Sequence, residues 1–200
     1  MPLEQLLALA GFVVVMTGTP GPNNMMLLAS GANFGFRRSL PHIFGITVGC
    51  QILLVAVALG IGQLLSLYPL LDSVLKVLCG LALIYLAWTL VRPTKVLPAS
   101  GEVKVARPLT FLQAAMFQWV NPKAWLMMIT AIATYTEPTA MLSSLAVIAL
   151  FFAIIGIPCI STWNLFGATL RVFLQDTRRA RLFNVTMAVL LLGSMYPLLR

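Results

Sequence analysis

The sequence predicts an all-α membrane protein of six transmembrane helices, arranged as two inverted three-helix repeats whose first and fourth helices are broken by Pro motifs. Three observations lead there. Hydrophobic residues make up 60% of the chain and charged ones 9%, against about 25% charged in soluble domains. One soluble core of 200 residues cannot hide that much apolar surface, so lipid must solvate most of the chain. The apolar residues also fall into six runs of spanning length, roughly 17–25 residues, and two of these runs carry proline motifs at comparable depth.

The runs cover residues 5–32, interrupted at 19–24, then 41–65 and 70–91. A polar linker follows at 92–108, with Arg92, Lys95, Glu102, Lys104 and Arg107. The last three runs cover 109–134, 139–165 and 182–199. Residues 1–200 thus read as a single transmembrane domain, with 1–91 as the first repeat and 109–200 as the second. Three spans are an odd number, so the halves enter the membrane from opposite sides; a shared fold makes them an inverted repeat.

The net charge of +8 does not point to nucleic acid, because the basic residues sit in short gaps between apolar runs. Arg37 and Arg38 fill the first gap; Arg92, Lys95, Lys104 and Arg107 lie in the linker; Arg171, Arg178, Arg179 and Arg181 precede the last run. These gaps alternate along the chain and therefore share one side. The other side holds Arg200 and, just inside the third run, Lys76. Positive-inside counting places the basic gaps in the cytoplasm. The expectation is a multi-pass protein of the bacterial inner membrane with both termini outside. The start of the chain has no basic region, and Glu4 is its only charge, so the first run reads as a retained helix rather than a cleaved signal.

The chemistry must lie in the breaks. Thr19-Pro20-Gly21-Pro22-Asn23-Asn24 cannot continue a regular helix, since each proline removes a backbone donor and crowds the preceding turn. Pro22 suits the first turn of a new half-helix. Backbone groups freed at that depth need protein or a wet cavity, and the new helix N-terminus offers N–H groups and a positive dipole end to an anion. A kink packed on neighbouring helices is the plainer alternative. In the fourth run, Gln118 stands before Asn121-Pro122-Lys123. Lys123 lies about 20 Å into its span at 1.5 Å per residue, which is awkward for snorkelling. It reads either as a partner for a substrate carboxylate or as a tie to carbonyls of the first broken helix. Gln51 either lines the cavity or bonds a neighbouring helix. The candidate substrate site is therefore Thr19, Pro20, Gly21, Pro22, Asn23, Asn24, Gln51, Gln118, Asn121, Pro122 and Lys123.

Other residues read as structural. Gly45 and Gly49 form a small-xxx-small pair for close helix packing. Asp72 and Lys76 are one helical turn apart and form an ion pair. Gly156 and Pro158 suggest a bend in the fifth run. His42 reads as interfacial. Trp88, Trp119, Trp125 and Trp163 serve as interface belts or cavity walls. Cys50, Cys79 and Cys159 lie in apolar stretches without paired or metal-ligand spacing, so no disulfide framework, metal or cofactor is implied. Glu4, Asp72, Glu102, Glu137 and Asp176 all lie at or beyond span edges. No paired carboxylates and a single histidine argue against an intramembrane protease.

Together, the Thr-Pro-Gly-Pro at 19–22, the Asn-Pro-Lys at 121–123, the Gly-Phe-Arg-Arg at 35–38, the length and the six runs resemble the LysE/RhtB family of amino-acid exporters over the whole chain. The resemblance implies secondary export of amino acids or close derivatives from the cytoplasm, driven by the proton-motive force. The Thr-Pro-Gly-Pro-Asn-Asn form with a short linker is similar to the branch exporting cysteine and O-acetylserine. The chain departs from many relatives in one place: Cys50 and Gln51 follow the glycine pair where they carry an ionisable residue, which leaves a shared proton-coupling mechanism without its side chain. The reading is thus a non-enzymatic exporter of small neutral amino acids, with a passive channel and an intramembrane lipid-handling enzyme as alternatives. Its partners are a small amino-acid substrate and the bilayer; homo-oligomerisation stays open.

Overall fold

The computed structural model describes residues 1–92 and 107–194, and every regular element among them is helical. In chain order these are α1 (Leu3–Gly18), α2 (Pro22–Phe34), α3 (Phe36–Ala58), α4 (Ile61–Leu67), α5 (Pro69–Val91), α6 (Phe111–Phe117), α7 (Pro122–Tyr135), α8 (Met141–Ile154), α9 (Gly156–Leu170) and α10 (Thr177–Gly193). Short 3-10 turns at Gln118–Val120, Pro138–Ala140 and Phe173–Gln175 join some of them.

Phe36–Ala58, Pro69–Val91 and Met141–Leu170 are each long and apolar enough to cross a membrane. α1 and α2 supply a fourth span if counted together across their 56° bend. α6 has seven residues and α10 seventeen. Leu59, Leu70 and Leu142 are 81%, 76% and 85% exposed. Such outward apolar side chains fit lipid and not water.

Several boundaries differ from the sequence reading. The second helix starts at Phe36 rather than at residue 41, because Gly35 makes the whole turn from α2 by itself at φ 83, a left-handed conformation that glycine reaches without a steric cost. Arg37 and Arg38 therefore sit on the first turn of α3 and not in a loop. That helix ends at Ala58, where Gly60 at φ 101 starts the short α4. The final helix starts at Thr177, capped by Asp176 Oδ1 accepting from Arg179 N at 2.9 Å, so Arg178, Arg179 and Arg181 also lie on a helix. The bend expected at Gly156 and Pro158 is a local irregularity at Ile155, which keeps helical dihedrals; α8 and α9 form one 30-residue helix. Residues 93–106 and 195–200, which hold Lys95, Glu102, Lys104 and Arg200, lie outside the described residues.

Two backbone-to-backbone crossings set the helix positions. A Cβ on Gly31 of α2 would meet the Asn164 carbonyl of α9, and one on Gly167 of α9 would meet the Leu28 carbonyl of α2. A Cβ on Gly45 of α3 would meet the Phe111 carbonyl of α6, and one on Gly49 would lie 2.6 Å from the Ala115 carbonyl. Small residues allow this approach, and the packing it brings holds apolar helices together in lipid. The main core, with Leu9, Leu27, Ile43, Leu53, Met128 and Ile148, lies among α1, α2, α3, α7 and α8. Leu83 and Leu86 of α5 pack with Leu191 of α10 in a second cluster. The second break is buried at Gln118 and Asn121, while the first is exposed at Thr19 and Pro20 and buried at Gly21 and Pro22.

Candidate functional site

The first break follows from its prolines and its glycine. α1 ends at Gly18, Thr19 turns extended (φ −77, ψ 153), and Gly21 is fully extended (φ 180, ψ 176) before Pro22 opens α2. The last carbonyls of a helix have no intrahelical donor, and in an apolar setting each must find one. Side chains from three helices supply them here. Asn24 Nδ2 donates to Thr17 O at 2.7 Å and to Thr19 O at 2.8 Å. Trp163 Nε1 of α9 donates to Gly18 O at 3.0 Å. Lys123 Nζ of α7 donates to Thr19 O at 2.9 Å, to Thr19 Oγ1 at 2.8 Å and to Pro20 O at 3.3 Å. Gly21 leaves room for this, since a Cβ there would lie 2.7 Å from Lys123 Cδ.

The second break is built differently. α6 tightens into the 3-10 turn Gln118–Val120, Asn121 is extended (φ −102, ψ 105), and Pro122 opens α7. Asn121 caps this helix, its Oδ1 accepting from Lys123 N at 3.2 Å. The fully buried Gln118 joins the two breaks: its Oε1 accepts from Asn23 Nδ2 at 2.9 Å and Asn121 Nδ2 at 3.3 Å, and its Nε2 donates to Asn23 Oδ1 at 3.1 Å. Cys50 Sγ also donates to Gln118 Oε1, at 3.6 Å.

A cavity opens where the breaks meet. It is narrow, with a cavity volume of about 50 Å³, below the roughly 300–1,000 Å³ usual for small-molecule sites. Of the sequence candidates, Gly21, Asn23, Asn24, Gln51, Asn121 and Lys123 line it. Thr19 and Pro20 stand behind Lys123 as its acceptors. Pro22 and Gln118 are buried in the break and its bridge. Pro122 instead lines a larger crevice, of about 540 Å³, on the far side of α7, beside the Asp72–Lys76 ion pair (2.9 Å). Gln51 does both things weighed for it: it lines the cavity, and its Nε2 donates to Ala149 O at 2.9 Å.

The remaining walls combine polar Thr17, Thr47 and Cys50 with apolar Met16, Met127 and Phe152. Among the described residues the lining holds one cation and no carboxylate. Thr47 was findable, because it lies one helical turn before Gln51 on the same face of α3. The Trp163 contact to Gly18 O had no signal in the sequence. His42 departs from its interfacial reading: it is 2% exposed, with neither ring nitrogen hydrogen-bonded among the described residues. Asn24 Oδ1 is likewise buried without a partner.

An all-helical, lipid-exposed bundle with a broken helix and a cavity at its break defines a class, the membrane transporters with discontinuous helices. The sequence profile of the LysE type translocators matches residues 14–197, and the chain belongs to that family, whose members are transporters and not enzymes. It is similar to the cysteine/O-acetylserine efflux protein of Escherichia coli (strain K12), 30% identical over 183 residues. The protein of the same name from Shigella flexneri is also 30% identical over 183 residues, and that from Escherichia coli O139:H28 (strain E24377A / ETEC) 29% over 184. Each match covers 90% of both chains. No solved structure matches the chain.

Proposed function

We propose that this protein is a secondary exporter of small neutral amino acids or their derivatives, in the chemical range of cysteine and O-acetylserine, driven by the proton-motive force. It works in the bacterial inner membrane as six spans in two inverted repeats, with both termini outside. The observation that carries the reading is the cavity at the meeting of the two breaks. There the N-terminus of α2 carries no side-chain cap and faces the same space as the Lys123 side chain. First-turn N–H groups and a helix dipole favour a carboxylate. The cavity lining has no acid, which disfavours a substrate with a cationic side chain. Its Met and Phe walls suit a short, weakly polar one.

Everted membrane vesicles test this. The expected result is saturable uptake of labelled cysteine or O-acetylserine that rises on energisation and collapses with a protonophore. Uptake that is linear in concentration and indifferent to the gradient would instead identify a passive pore. Absence of stimulated uptake for every small neutral amino acid tried would overturn the reading. Labelling of single cysteines placed near each terminus, from either side of the membrane, tests the span count and orientation.

A further inference from the structure

The ammonium of Lys123 occupies a site whose acceptors would equally suit a free amino acid. Its three N–H donors meet Thr19 O, Thr19 Oγ1 and Pro20 O at 2.9, 2.8 and 3.3 Å. An alkylammonium has three donors and no acceptor, and an α-ammonium has the same three. The cradle lies at the C-terminal end of α1, where helix dipoles concentrate negative charge. Only Gly21 separates it from the uncapped start of α2, where helix dipoles concentrate positive charge. The charged groups of an α-amino acid are joined by one carbon, so a single short zwitterion fits both helix ends.

A second observation points the same way. Asn24 lines the cavity and is 3% exposed. Its Nδ2 is committed to Thr17 O and Thr19 O, and its Oδ1 has no partner among the described residues. Both partners of Nδ2 are carbonyls, which only accept, so the amide cannot be turned the other way. A buried acceptor left without a donor is unfavourable. Through the shared acceptor Thr19 O, the Asn24 amide adjoins the cradle, and its Oδ1 is left as an unused acceptor.

We infer that Thr19, Pro20 and Asn24 form the subsite for the substrate's α-ammonium, and that Lys123 is its tethered stand-in when the carrier is empty. This rests on the amino-acid export reading. The incoming ammonium displaces Nζ from the three oxygens, and the released lysine turns to the substrate carboxylate. Lys123 thereby acts as tie and as ligand in turn, the two roles its sequence position suggested. Displacing the tie couples occupancy of the cradle, at the edge of the cavity that Lys123 lines, to the contact between the two broken helices. Gly21 is required for the exchange, because any side chain there would fill the path of the lysine stem.

Purified carrier in detergent, with ethylammonium as the probe, tests the subsite without any transport assay. In Lys123→Gly the cradle is empty, and ethylammonium at roughly 10 mM should raise the melting temperature by mass action. The intact protein, its cradle filled by its own lysine, should not respond. No shift in a monodisperse Lys123→Gly variant, or equal shifts in both proteins, overturns the proposal. Should that variant not fold, inhibition of cysteine uptake into vesicles bearing the intact carrier decides. The des-amino analogue 3-mercaptopropionate should inhibit at least about tenfold more weakly than cysteine, a difference of about 1.4 kcal/mol; equal inhibition overturns the subsite. Vesicles that transport no amino acid refute the export reading, whereas transport with equal inhibition refutes only the subsite.

Discussion

At the first break α2 begins from Gly21 with no side-chain cap; at the second, α7 begins from Asn121, whose Oδ1 accepts from Lys123 N. The carbonyl ends differ as well. The C-terminus of α1 receives donors from Asn24, Trp163 and Lys123, while α6 disposes of its last turn by tightening into 3-10 geometry. One break therefore leaves its positive end uncapped and draws its negative end's partners from elsewhere. The other satisfies itself locally. Two proline motifs at matching positions need not be equivalent ligand sites: a residue that can cap its own helix, such as asparagine, competes with a ligand for the same N–H groups, and glycine does not.

Aspartate in place of Asn24 tests the first break most sharply. Asn24→Asp removes both donors to α1 and sets a carboxylate against two carbonyls, at a cost of roughly 3–5 kcal/mol. Thermal unfolding in detergent should show a large loss, and a near-native melting temperature would break the comparison. Lys123→Met comes next. It removes a charge-assisted tie worth about 2 kcal/mol and should lower vesicle uptake by more than about tenfold. Lys123→Arg should restore part of the stability, and less of the uptake, because a planar fork does not match a three-oxygen cradle. Asn121→Ala should cost about 1 kcal/mol through loss of its cap, whereas Asn121→Ser, which keeps a capping oxygen and sets no charge against Gln118 Oε1, should cost less; the reverse order would mean that the amide, and not the cap, matters there. Trp163→Phe should have the smallest effect, below about 1 kcal/mol. It leaves only Gly18 O without its donor, and Asn24→Ala, measured alongside, should exceed it.

The breaks themselves were legible in the sequence because proline and glycine act locally. Pro20, Gly21 and Pro22 forbid a continuous helix whatever surrounds them, and Asn121-Pro122 is a cap followed by an N1 proline in any context. The close packing at Gly45 and Gly49 was legible for a similar reason, since their spacing lines up one face of a helix. Helix starts were less legible. Arg37, Arg38, Arg178, Arg179 and Arg181 look like loop residues by polarity, yet they sit in the opening turns of α3 and α10, where long side chains can carry their charge outward. His42 was read from its arginine neighbours and lies buried instead, because the face a residue presents depends on the helix packed against it.

The sequence by itself determined that the chain lives in lipid, that two of its helices break, and which residues stand at each break; composition and proline chemistry suffice for that. Only the tertiary structure decided which oxygens receive the Lys123 ammonium, that Gln118 bridges the two breaks, that Trp163 serves the end of α1, and that one helix N-terminus is open while the other is capped. Those contacts join residues about a hundred positions apart, as in the 95 between Asn23 and Gln118 and the 104 between Thr19 and Lys123. Pairings of that reach are fixed by how helices cross, and no local pattern encodes them.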